Sequence, residues 1–176
     1  MLLFRKKEIP RDHPLSRLLQ HLTASSFDMV GLRDQAVVAY VSDVLVDFAH
    51  IENVYRLRDE AGRRVEASLC SLPEAEGALD LSPREIRKHI GDYCLFFTGL
   101  YPDGLEREGR WGGARFYVTQ GKEAYQKVSE MDALRPSAAL FRKLSDVFED
   151  CVRGLNVERE FLTDPFYQYL LRQMGW

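Results

Sequence analysis

The chain has 176 residues, 45% hydrophobic and 29% charged, which suits one folded domain with a sizeable core and excludes wholesale disorder. Its formal net charge of -3 is the wrong sign for a nucleic-acid binder working by bulk attraction, and no apolar run approaches the roughly 20 residues of a membrane span. Cys70, Cys94 and Cys151 are odd in number, widely spaced and free of any Cys-x-x-Cys pair, so zinc-knuckle and redox motifs are excluded.

Residues 1–13 read as an N-terminal arm, and 14–176 as a single helical domain. Met1–Phe4 is too short for a leader and Arg5–Lys7 lies on its wrong side, so a cytoplasmic setting is expected. An apolar tip followed by basic residues suits a weak membrane-surface contact or an arm folded back on the domain; the second is the preferred reading. Pro14 opens a helix with Leu15, Leu18, Leu19 and Leu22 on one face. From Asp34 to about Arg58, Val37, Val41, Val44, Phe48, Ile51 and Tyr55 recur at helical spacing, and the lack of Gly or Pro predicts one long helix despite the β-branched residues. Residues 63–81 alternate weakly and leave a short helix or an extended connector open.

The most apolar stretch, His89–Tyr101, belongs to a helix predicted over about 82–101. Ser82, Pro83 and Glu85 supply a capping box and a proline start, and Pro102-Asp103-Gly104 reads as its stop. Residues 103–115 read as a glycine-rich loop, followed by helical periodicity from Phe116 to Met131. A further amphipathic helix runs from Pro136 to Leu155, loosened or ended at Gly154, and a last one starts at Asp164-Pro165. The expectation is an all-α fold: a compact bundle of about five to seven helices around the 82–101 helix, packed by the 34–58 and 136–155 helices.

Four groups of residues are candidates for chemistry. Asp43, Asp47 and His50 fall within about 60° on the second helix and are legitimate ligands for iron or manganese, although that face points away from the apolar stripe and reads first as solvated. His89, Asp92 and Tyr93 on the central helix are candidates for a buried polar network or an acid–base pair. On the helical wheel Leu95 and Phe96 flank Asp92, so burial requires a partner, Arg or Tyr by preference, while Lys88 offers an i,i+4 ion pair. Arg107, Arg110, Trp111 and Arg115 in the glycine-rich loop are weak anion-binding candidates against the plainer reading of a connector. The many aromatics suit either core or an apolar pocket.

The phrase from His89 to Asp103, with Phe116-Tyr117 and Gly121-Lys122-Glu123-Ala124-Tyr125, resembles a pattern in all-helical bacterial proteins of no assigned activity. The resemblance spans about the middle third of the chain and implies a helical bacterial cytoplasmic protein, with no residue role attached. No cofactor is expected. The leading functional expectation is a non-enzymatic module for protein–protein interaction or self-association. The alternative is a bundle holding a small apolar or anionic ligand in an aromatic-lined cavity, and the third is a carboxylate/histidine metal enzyme whose site joins Asp43, Asp47 and His50 to His89 and Asp92.

Overall fold

A computed structural model describes residues 2–3, 6–58, 61, 63, 82–108 and 113–175. The fold is all-α, with nine helices among the described residues: α1 (Pro14–Met29), α2 (Gln35–Phe48), α3 (Ile51–Val54), α4 (Pro83–Leu100), α5 (Pro102–Glu108), α6 (Ala114–Met131), α7 (Ser137–Asp146), α8 (Phe148–Leu162) and α9 (Pro165–Gln173). Two short strands, β1 (Leu2–Leu3) and β2 (Leu57–Arg58), pair antiparallel, with Leu2 opposite Arg58. No helix among the described residues is long and apolar enough to cross a membrane.

Helix α4 is the centre, as its pattern predicts: thirteen of its residues are buried, among them Ile86, Ile90, Tyr93, Cys94, Leu95 and Phe96. Ser82 is its N-cap, but the side-chain bond of a capping box is not made, and Pro83 at N1 supplies the start. The principal neighbour of α4 is α6, followed by α8, whereas α2 reaches it mainly through side chains. This differs from the expected 34–58 neighbour, and the reason is steric. A Cβ on Gly91 would run into the Tyr125 ring of α6, one on Gly99 into Leu155 of α8, and one on Gly121 into Phe148 and Cys94. The glycines set inside helical patterns are therefore the points of closest helix approach. Gly154 belongs to this set: it lies inside α8 and faces the Phe27 ring of α1, so it seats a neighbour and leaves the helix unbroken.

Three further departures raise the helix number above the expected five to seven. The predicted 34–58 helix stops at Phe48, because Asn53 Nδ2 donates to the Asp47 carbonyl (2.7 Å) and His50 turns extended at φ -91, ψ 117. A side-chain amide competing for a helix carbonyl is a stop signal that Gly and Pro counts miss. At Val147, φ -102 and ψ 18 divide the predicted 136–155 helix into α7 and α8. Pro102-Asp103-Gly104 does follow the end of α4 at Leu100, but the loop expected over 103–115 opens as α5, with Pro102 in its first turn. The start of α2 follows its cap: Asp34 accepts from the Ala36 and Val37 amides at 3.1 and 3.2 Å. Apart from residue 63, the 63–81 stretch lies outside the described residues.

Candidate functional site

Asp92 is the organising group. It is buried on α4, one turn after Lys88. Its Oδ1 accepts from the Tyr40 hydroxyl of α2 at 2.6 Å and from the Tyr125 hydroxyl of α6 at 2.8 Å; its Oδ2 takes the Lys88 ammonium at 2.6 Å. Lys88 also lies 5.1 Å from the centroid of the Tyr40 ring, a cation–π contact. Tyr40 packs edge-on to Tyr125 and Phe141, so three helices are tied at one carboxylate and Phe141 of α7 packs against its tyrosines. Burial first, and the Asp92 carboxylate second, hold both phenols well above their ordinary range, so they act as donors.

His89 is 3% exposed and belongs to a different environment. Its ring meets Phe48 (5.8 Å between centroids) and Tyr93 (6.4 Å), and its Nε2 has no hydrogen-bond partner among the described residues. Burial pushes its pKa down to about 4 against the pull of Asp92, so the imidazole is neutral at pH 7. His89 and Asp92, close enough in sequence to meet, are not hydrogen-bonded to each other among the described residues. Tyr93, 2% exposed, stacks at 4.5 Å on Phe97 and completes the set of three buried polar candidates.

The arm walls this region. Lys6 pairs with Asp47, Lys7 with Glu52 at 3.0 Å, and Arg11 with Asp43 at 3.7 Å. Two adjoining cavities of about 750 and 380 Å³ share Lys6, Glu8, Asp47 and Lys88, the smaller also reaching His89 and Asp92. Burial raises the Asp47 carboxyl, and the Lys6 ammonium offsets part of that rise.

The metal reading needs Asp43, Asp47 and His50 to converge. The break after Phe48 puts His50 at the cap of α3, off the α2 face, while the two aspartates face arm cations. Among the described residues no group of three His, Cys, Asp or Glu is placed to hold a metal ion. Of the anion-loop candidates, Arg115 is exposed on the first turn of α6, Arg107 lies in α5, and Arg110 and Trp111 fall outside the described residues.

Several buried groups escaped the sequence reading. Asp132, at the end of α6, is fully buried and accepts from Nε and Nη2 of Arg84 (2.6 Å each) and from the Ser137 hydroxyl at 2.7 Å, which holds its carboxyl at about 2. Glu158 lies on the Cys151–Leu155–Leu162 stripe of α8, and an acid on an apolar stripe was the signal that could have found it. Asn53 offered no signal beyond its position. In comparisons with known proteins, no family model, curated protein or solved structure matches this chain.

Proposed function

We propose that this protein is a non-enzymatic helical module that docks a protein partner, and that its docking surface is the aromatic groove around α3. Asp92 and the groups around it are engaged with one another: each of its oxygens already accepts from a strong donor, and both tyrosines are its donors. What reaches the surface is apolar. A line of rings runs outward from buried Tyr93 to Phe97 (4.5 Å) and on to Tyr101 (5.8 Å), with Phe96 beside them and Phe48 5.1 Å from Phe96. It ends at Tyr101 and Ile51, each 52% exposed, beside a groove of about 350 Å³. That outward run of rings carries the reading, because aromatic anchors with open apolar neighbours are the usual centre of a protein interface. The fitting occupant is the apolar side chain of a second protein, whether another copy or a different chain.

The test inserts charge where the groove opens. Full-length protein and its Ile51→Lys/Tyr101→Lys variant are compared by sedimentation velocity over a wide concentration range and by cross-linking in a cell extract. Loss of self-association or of a specific cross-linked partner in a variant with unchanged helicity supports the reading. A wild type that stays monomeric and yields the same cross-links as the variant removes it. A small apolar ligand is the second reading, since about 350 Å³ lies at the lower end of ligand pockets. Native mass spectrometry, which would show a co-purifying small molecule, separates the two.

A further inference from the structure

We propose that the face formed by α2 and α3 is a receptor for a basic, extended polypeptide segment, and that the protein's own arm is its built-in competitor. This surface is distinct from the aromatic groove: α3 turns Glu52 and Asn53 toward the arm, while Ile51 and Val54 line the groove.

The first support is a main-chain clip. Asn53 is 1% exposed, and its side chain holds both polar groups of the Lys7 backbone: Lys7 N–H donates to Oδ1 at 2.8 Å, and Nδ2 donates to the Lys7 carbonyl at 2.7 Å. A buried amide that grips one residue's N–H and C=O reads an extended backbone whatever its side chain, as peptide-binding surfaces do. The same Nδ2 donates to the Asp47 carbonyl, so the break that ends α2 also fixes the clip in place. Nearer the start of the arm, β1 lies antiparallel to β2 and gives a second main-chain pairing.

The second support is charge. Arm cations Lys6, Lys7 and Arg11 meet Asp47, Glu52 and Asp43 in turn, so the face carries a carboxylate for each cation of a Lys-Lys-x-x-x-Arg segment. These pairs are open to water on at least one side, and pairs of that kind are individually weak and salt-sensitive. The arm is thus held by a clip and by weak charges, a combination that a better-matched segment can displace. What protects it is connectivity. A tethered segment acts at an effective concentration on the order of millimolar. An outside segment therefore meets a face that is mostly occupied, and its apparent affinity falls by the fraction left open.

The experiment uses full-length protein and a fluorescent peptide with the sequence of residues 1–13, followed by anisotropy at low salt. The arm is freed in the full chain by Lys6→Glu/Lys7→Glu/Arg11→Glu, with helicity checked by circular dichroism. The peptide should bind this variant about 10-fold or more tightly than wild type, as expected for removal of a tethered competitor. Adding Asn53→Ala should abolish the gain, and a peptide with its three cations changed to Ala should not bind. Equal affinity for variant and wild type would show that the arm does not compete; no binding to a folded variant would show that the face is no receptor. Either result overturns the proposal while leaving the aromatic groove untested by it. If the triple variant does not fold, unlabelled peptide in excess over wild type provides the second reading. Deuterium uptake at the Lys7 amide should then rise several-fold, and unchanged uptake overturns the proposal.

Discussion

Asp92 on α4 and Glu158 on α8 are both withdrawn from water, at 4% and 0% exposure, but they have opposite company. Asp92 accepts from two phenols and an ammonium. Glu158 accepts a hydrogen bond at Oε1 from the Thr23 hydroxyl (3.0 Å), and its Oε2 has no partner among the described residues. Burial pushes the Glu158 carboxyl up to about 8, so it stays protonated near neutrality. The number and kind of donors, more than depth, separates a carboxylate that ties helices together from a carboxyl that makes the fold sensitive to pH.

The strongest way to break this contrast is Asp92→Ala. The substitution leaves the Lys88 ammonium without its partner and two phenols without an acceptor, and should cost about 3–5 kcal/mol of unfolding free energy in urea titrations. A loss under about 1 kcal/mol, the size of an ordinary surface pair, would mean that the knot contributes little.

Glu158 sharpens the other side. Its folded-state pKa is raised, so the unfolded chain releases this proton first as pH climbs. The associated stability is fully present below the ordinary glutamate pKa of about 4.3 and is lost as pH rises through about 8. Between pH 5 and pH 8 the loss should be on the order of 3 kcal/mol. Glu158→Gln, which cannot ionise, should flatten the melting temperature across that window. Wild-type and variant curves that run parallel would contradict the assignment.

The smallest effect concerns the phenols separately. Tyr125→Phe should cost about 1–2 kcal/mol, and Tyr40→Phe less, because the Tyr40 bond to Asp92 is only part-buried. A double-mutant cycle with Asp92→Ala measures the coupling. Additive losses would show that the hydroxyls act independently of the carboxylate.

The central helix, its apolar sides and the oddity of Asp92 were legible in the sequence because each is local: a proline start, a 3.6-residue period and an acid flanked by Leu95 and Phe96 on the helical wheel. That a buried Asp92 needs an Arg or Tyr partner was also readable, but that tyrosines would supply it, and which ones, was not. Tyr40 and Tyr125 lie 52 and 33 residues away, and only the crossing of α2 and α6 over α4 brings them together. His50 shows the opposite limit. Its spacing from Asp47 has meaning only on an unbroken helix, and the break comes from Asn53, a residue three positions further on whose role depends on the arm. Arg84 and Asp132, 48 residues apart, left no local trace at all.

The close helix approaches have a consequence for how this sequence can drift. Gly91 with Tyr125, Gly121 with Phe148 and Gly154 with Phe27 behave as three socket-and-plug pairs, each a missing side chain on one helix filled by a ring from another. A methyl added to any socket demands a smaller plug, and a smaller plug alone leaves a void. Neither change is tolerable singly, so related chains should alter these positions two at a time. Relatives that carry Ala at the place of Gly91 should also have lost the large ring at the place of Tyr125, and with it one donor to Asp92.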